Sequence, residues 1–305
     1  MATAENFRHA IGWVGVGKMG NPMATRLAEA GHSLTICDPI AENRASLVAR
    51  GASVAVTPGE LAGRCDIVFS TIPNDAVLTE MIFGGDESSG FLDQAARGTI
   101  LVEMSTVSPQ LSERVARNLE SRGVAYLRCP ISGSTALART GTLTALASGD
   151  AAAWEGASPI LDVLASRKFY LGQGEEARYM KLVLNALVGA TSSILGEALL
   201  LGEKGGLSSV QMMEVISQSA VASPLLKYKQ DMIVEMDFSP AFSVEQMIKD
   251  FTLITDAARD KQVPMLVANL ILQQYTAASN AGYSDQDFFA LFDWMRVTGG
   301  LADIA

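Results

Sequence analysis

Ile11-Gly-Trp-Val-Gly15-Val-Gly17-Lys-Met-Gly20-Asn-Pro-Met-Ala24 sets three glycines at the junction of an apolar run and an amphipathic one. Ile11 to Val16 is an apolar, β-rich run, and Met19 to Ala30 is amphipathic with a stop at Gly31, so the three glycines lie between a strand and a helix. In that context each glycine has a separate task. Gly15 permits the tight turn out of the strand, Gly17 lets a pyrophosphate approach backbone N–H groups, and Gly20 allows the helix to pack closely. The next strand, Ser33 to Cys37, ends at Asp38, where a carboxylate can accept hydrogen bonds from a ribose diol and repel a 2′-phosphate. NAD is therefore the expected cofactor, with NADP left open by Arg44 nearby. The plainer alternative is a set of ordinary turn glycines, with Asp38 opening a helix ahead of Pro39.

Outward from this stretch, β-rich runs alternate with amphipathic helical runs as far as Leu171, the pattern of a parallel sheet covered on both faces. Further strands are expected at Asp66–Ile72, Thr99–Val102, Ala125–Arg128, Leu143–Ala147 and Phe169–Leu171. Beyond Gly172-Gln-Gly174 the strand signals fade, and helices are separated by Gly205-Gly206, Ser223-Pro224, Ser239-Pro240, Pro264 and Gly282. The expected fold is α/β: a Rossmann-type doubly wound sheet over residues 1–172, then an all-α substrate and dimerisation domain over residues 173–305. Its first helix, Glu175 to Lys204, would be about 45 Å long, enough to run from one domain into the next. So long an apolar rod calls for a partner surface, and a homodimer or homotetramer is expected. Asn185, Thr191, Ser192, Ser193 and Glu197 interrupt the apolar stretch Leu182–Leu201, which reads as a buried helix and not as a membrane span.

Composition narrows the function. At 305 residues and 49% hydrophobic content the chain can build two cores, and a net charge of -10 opposes nucleic acid or an anionic membrane as partner. Cys37, Cys65 and Cys129 are far apart and read as small core residues, so neither disulfides nor a metal site is expected. His9 precedes the first strand and His32 sits in a turn, so both read as structural and proton transfer falls to another residue type. Met1 to Ala10 carries no apolar h-region, and a cytoplasmic protein is expected.

Motifs along the chain resemble those of the β-hydroxyacid dehydrogenase family, which includes 3-hydroxyisobutyrate dehydrogenase and tartronate semialdehyde reductase. The likeness starts with the glycine segment and continues to Gly31-His32. It includes Glu103-Met-Ser105-Thr106-Val-Ser-Pro109, then Pro130-Ile-Ser132-Gly133-Ser134 with Gly141-Thr142-Leu143. Lys181-Leu-Val-Leu-Asn185 and Lys249-Asp250 complete it. The resemblance implies Lys181 as catalytic acid/base with Asn185 beside it, and substrate binding by Ser132, Gly133, Ser134 and Lys249. It also implies cofactor contacts from Gly15, Gly17, Met19, Gly20, Asp38, Ile72, Pro73, Thr106 and Lys249. Two positions depart from the pattern: Ser134 stands where the family has a second glycine, and Leu184 where an asparagine often precedes Asn185.

These residue types suit hydride transfer between a nicotinamide and a small β-hydroxyacid. As hydride leaves the carbinol carbon a base must take the hydroxyl proton, and a lysine does this if burial and neighbouring positive charge lower its pKa. The i, i+4 spacing brings Asn185 to the same helical face, where it can orient the hydroxyl. Ser132-Gly133-Ser134 offers backbone N–H groups and hydroxyls to a carboxylate, and Lys249 adds charge, with Asp250 orienting Lys249 or supporting its helix. A snorkelling lysine, a plain Ser/Gly turn and a solvated Lys249 are the structural alternatives. A 6-phosphogluconate dehydrogenase-like enzyme would pair its lysine with a histidine three residues on, where Leu184 stands. An imine reductase generally replaces the lysine, and a non-catalytic dinucleotide-binding module needs none of Lys181, Asn185 and Ser132. Serine, 3-hydroxyisobutyrate, glycerate and sugar acids all fit as substrates.

Overall fold

The protein is described by a computed structural model covering residues 9–85 and 88–301, so most of the Met1–Ala10 reading lies outside the described residues. The chain divides into two compact units between Lys181 and Leu182.

Among the described residues of the first unit, nine strands form one sheet. They are β1 (Ile11–Val14), β2 (Leu34–Cys37), β3 (Ser53–Val54), β4 (Ile67–Ser70) and β5 (Ile100–Glu103). β6 (Ala125–Arg128), β7 (Ile131–Ser132), β8 (Leu143–Gly149) and β9 (Ala165–Tyr170) complete it. Strand order is β3-β2-β1-β4-β5-β6-β8-β7, with β9 also on β8. From β3 through β6 every pair is parallel, and the order reverses between β1 and β4. A crevice opens at such a switch point, beyond the carboxyl ends of the strands.

The expected doubly wound sheet is present, and beyond β6 it turns mixed, with β8 antiparallel to both β6 and β7. The link from Ser132 to Leu143 is too short for a parallel crossover, which takes a dozen residues or more. β3 and β7 were not expected, because two residues carry no readable periodicity. β1 stops at Val14, short of the expected Val16, since Gly15 turns the chain at φ +80°.

The helices of this unit are α1 (Gly20–Glu29), α2 (Ala41–Val48), α3 (Pro58–Ala62) and α4 (Asp75–Phe83). α5 (Phe91–Gln94), α6 (Pro109–Ser121), α7 (Thr135–Thr140) and α8 (Ala151–Leu164) follow. Side chains of a strand alternate between faces, and two cores result. Ile11, Trp13, Ile36, Ile67, Phe69, Val102 and Leu127 pack with Met23, Leu27, Ile160 and Leu164 of α1 and α8. Val14, Cys37, Val68, Leu101 and Tyr126 pack on the other face with Leu61, Leu78, Val115 and Leu119 of α3, α4 and α6. All three cysteines are buried, and burial pushes the Cys37 thiol up to about 11 and that of Cys129 to about 12.

α9 (Glu176–Lys204) opens in the first unit, which therefore reaches past residue 172 to Lys181. Its first turn is tied to the sheet: the Ala177 N–H donates to Ser148 Oγ at 3.1 Å, and Arg128 at the end of β6 pairs with Glu175.

The second unit holds the rest of α9, then α10 (Ser209–Gln218), α11 (Pro224–Glu235), α12 (Val244–Asp260), α13 (Leu266–Ala278) and α14 (Leu291–Thr298). Its breaks follow the expected punctuation. Ser208 and Ser243 form capping boxes with Gln211 and Gln246, and Ser223 caps α11 ahead of Pro224. α9 and α12 cross closely at Gly189, where a Cβ would stand 2.2 Å from the Phe251 ring. A buried ion pair, Lys229 Nζ to Asp287 Oδ2 at 2.7 Å, joins α11 to the turn before α14.

By length and apolarity α9 is long enough to cross a membrane, with a window of mean hydropathy 1.5. Yet Asn185, Ser192 and Ser193 are buried on it and hydrogen-bonded inside the second unit, as in a core helix.

Candidate active site

The glycine turn is built as its spacing requires. The Gly15 N–H donates to the Cys37 carbonyl at 2.8 Å, and a Cβ on Gly15 would lie 2.2 Å from the Thr71 carbonyl oxygen. At Gly20 a Cβ would fall 2.0 Å from the Gly15 carbonyl oxygen, which is why the helix reaches the turn so closely. Gly17 differs, since a Cβ there would meet only Asn43 Nδ2, at 3.8 Å. The backbone over Gly17 is thus open to a ligand, and Met19 follows it as the residue before α1.

Asp38 is buried, and both of its oxygens are engaged within the protein. Oδ2 accepts the Val16 N–H at 2.8 Å; Oδ1 accepts the Ile40 N–H at 2.9 Å and Asn43 Nδ2 at 3.1 Å. The acid at the end of β2 therefore braces the glycine turn, a task its position alone did not announce. Thr71 was also missed. Its hydroxyl donates to the Gly15 carbonyl at 2.5 Å and accepts from Trp13 Nε1 at 2.9 Å, locking the loops after β1 and β4 together. Beside the turn, a cleft of about 570 Å³ between α1 and α2 is lined by Gly17, Lys18, Asn21 and Asn43, among others.

Past β4, the Ile72 N–H donates to Ser105 Oγ at 2.7 Å, which sets Ile72-Pro73 against the Glu103–Pro109 segment. That segment is held again at Ser108, whose N–H donates to Asp75 Oδ1 at 2.9 Å and whose hydroxyl donates to Asp75 Oδ2 at 2.5 Å. Thr106 is thus carried on a stretch anchored on both sides. Glu103 and Arg178, to which no role was assigned from sequence, form a buried ion pair here. Burial works against the Arg178 charge, and Tyr126 and Glu103 outweigh it, holding the guanidinium above its ordinary range. The signal available in the sequence was a carboxylate closing an apolar strand, since a buried charge needs a partner.

Ser132 ends β7, Gly133 follows at φ +138°, and Ser134 precedes α7 without a side-chain cap bond. Gly133 is exposed and its serine neighbours are half-buried, so the turn presents its backbone to solvent. Lys181, half-buried, closes the first unit on α9. One turn further on the same helix, Asn185 is buried and its Nδ2 donates to Asp250 Oδ2. Since a carboxylate only accepts, this bond fixes which end of the carboxamide is which and leaves Oδ1 pointing elsewhere. Lys249 Nζ lies 3.0 Å from Asp250 Oδ1. Asp250 thus joins Asn185 to Lys249 in the second unit.

Residues 10–172 match the family model for the NAD binding domain of 6-phosphogluconate dehydrogenase. Residues 172–295 match that for NAD-binding of NADP-dependent 3-hydroxyisobutyrate dehydrogenase. The 2-(hydroxymethyl)glutarate dehydrogenase of Eubacterium barkeri is 32% identical over 95% of this chain and 96% of its own. Glyoxylate/succinic semialdehyde reductase 1 of Arabidopsis thaliana is 30% identical over 94% of this chain and 98% of its own. Among solved structures, a 3-hydroxyisobutyrate dehydrogenase from Salmonella typhimurium superposes with a TM-score of 0.84 at 28% identity, covering 93% of this chain and 99% of that one. With matches along almost its full length, the chain belongs to the β-hydroxyacid dehydrogenase family and is an NAD(P)-dependent oxidoreductase acting on CH–OH groups.

Proposed function

We propose that this chain interconverts a small β-hydroxyacid and the matching aldehyde or keto acid with NAD, using Lys181 as general acid/base. The observation that carries the reading is the pairing of Lys181 with a buried Asn185 one turn along α9, the carboxamide held in a single orientation by Asp250. When bound, the nicotinamide supplies the hydride acceptor or donor. Lys181 takes the hydroxyl proton in oxidation and returns it in reduction. Asn185 orients the alcohol oxygen, while Ser132, Gly133 and Ser134 hold the carboxylate and Lys249 adds positive charge. Gly15, Gly17, Met19 and Gly20 receive the pyrophosphate, and Ile72, Pro73 and Thr106 border the rest of the cofactor.

NAD is favoured over NADP because the buried Asp38 carboxylate closes β2 and uncharged Pro39 and Ile40 follow it. Residues 1–172 are proposed as the cofactor domain and 173–305 as the substrate and dimerisation domain. Val183, Leu187, Ile194 and Leu201 are more than half exposed along one stripe of α9, which supports a homodimer or homotetramer formed through the helical unit. Nucleic acid and membranes are not proposed as partners, and the three buried thiols fit the reducing cytoplasm.

The deciding experiment is a panel of 3-hydroxyisobutyrate, L-serine, glycerate and four-carbon sugar acids, each with NAD and NADP, followed by absorbance of the reduced cofactor. Turnover of at least one acid, faster with NAD, is expected. No turnover of any acid in the panel overturns the reading.

A further inference from the structure

α9 carries Arg178 three residues before Lys181, so the two lie on neighbouring positions of one helical side. Arg178 is 1% exposed, and all three of its guanidinium nitrogens donate hydrogen bonds. Nη1 donates to the Ser105 carbonyl at 2.8 Å, Nε to Ser112 Oγ at 3.1 Å, and Nη2 to Tyr126 OH at 2.9 Å and to Glu103 Oε2. The other Glu103 oxygen accepts the Ser105 N–H at 2.9 Å, and Ser105 Oγ accepts from Ile72 N. One side chain thereby bonds to β5, β6, the start of α6 and the turn that carries Thr106, from a position one helical turn before Lys181.

A buried ion pair is weak evidence for stability, because desolvating both charges offsets their attraction. Its planar geometry is more informative, since a fork with donors committed in several directions leaves the helix little rotation or slide. We propose that Arg178 is a positioning residue for hydride transfer, holding the first turns of α9 so that Lys181 keeps a set place relative to the Ser105-Thr106 turn. This rests on the reading of Lys181 as acid/base. Arg178 touches neither substrate nor cofactor in this scheme and acts through the helix it anchors.

The test uses the full chain with NAD and whichever acid of the panel it turns over. Arg178→Lys keeps the charge and loses the fork. The double variant Glu103→Gln with Arg178→Met removes both charges, so that no unpaired buried carboxylate is left to unfold the protein. Kd for NAD, KM, kcat, thermal midpoint and the isotope effect from deuterium at the carbinol carbon are measured for each. A displacement near 1 Å can cost about 100-fold in rate. Arg178→Lys is therefore expected to lose about tenfold to a hundredfold in kcat, with a larger isotope effect and Kd for NAD within about twofold. The double variant should recover the thermal midpoint without recovering kcat. Wild-type kcat and isotope effect in Arg178→Lys, or full recovery of kcat in the double variant, overturns the inference while leaving the Lys181 reading intact. Retained turnover in Lys181→Ala, or no turnover of any acid in the panel, overturns both.

Discussion

The Asp38 carboxylate accepts the backbone N–H of Val16 at 2.8 Å, so the acid that closes β2 is part of the glycine turn itself. Asp38→Ala removes this acceptor together with the one that serves Ile40 N. We expect a stability loss of about 1–3 kcal/mol by denaturant titration, the cost of leaving the buried Val16 N–H without its acceptor. NAD binding, followed by fluorescence, should weaken, and the preference for NAD over NADP should shrink. An unchanged cofactor preference would remove Asp38 as its determinant.

Gly17 and Gly20 belong to one motif, but their surroundings predict opposite outcomes on substitution. Gly20→Ala drives a methyl to within 2.0 Å of a backbone oxygen, and overpacking of this kind costs about 1–3 kcal/mol. Gly17→Ala meets only a side-chain amide at 3.8 Å, so the thermal midpoint should hold while Kd for NAD rises. Calorimetry beside a binding titration separates the two cases.

Lys181→Ala should lower kcat by about 10²- to 10⁴-fold, the usual contribution of a positioned acid/base group. Kd for NAD should change little, because the lysine acts on the hydroxyl proton. Rapid-mixing kinetics of a folded variant that shows wild-type hydride transfer would exclude the role.

Ser132→Ala should act chiefly through KM for the acid, since a carboxylate donor contributes before the transition state as well as in it. Initial rates across substrate concentration check this, and a variant with both KM and kcat unchanged would leave the Ser132–Ser134 turn without its assigned task.

Burial pushes the Cys129 thiol from about 9 to about 12. The unfolded chain releases this proton first, so the contribution to stability is complete below pH 9 and is lost as pH climbs toward 12. Denaturant midpoints at pH 8 and pH 10 should therefore fall more in the wild type than in Cys129→Ala. Equal falls would show that Cys129 does not titrate between the two states.

Local signals were enough for the scaffold. A strand, three glycines and a helix need only short-range geometry, and the alternation from Ile11 to Leu171 reports burial on two faces wherever a strand is long enough to show it. The break at Ser223-Pro224 was legible for the same reason, since a cap acts on N–H groups two or three residues away, whereas the caps Ser208 and Ser243 were not singled out. Two-residue strands such as β3 carry no such period, and the reversal of β8 depended on the length of a connection and not on the strand's own residues.

The glycine turn after β1, the helical second half and the Lys181/Asn185 spacing were thus readable from residue order, because each is set by neighbours along the chain. That Asp38 braces Val16, that Asp250 fixes the Asn185 carboxamide, and that Arg178 finds Glu103 across 75 positions emerges only once the chain is packed. A buried polar group must find a partner wherever the fold brings one within reach, and the identity of that partner is a property of packing and not of sequence order.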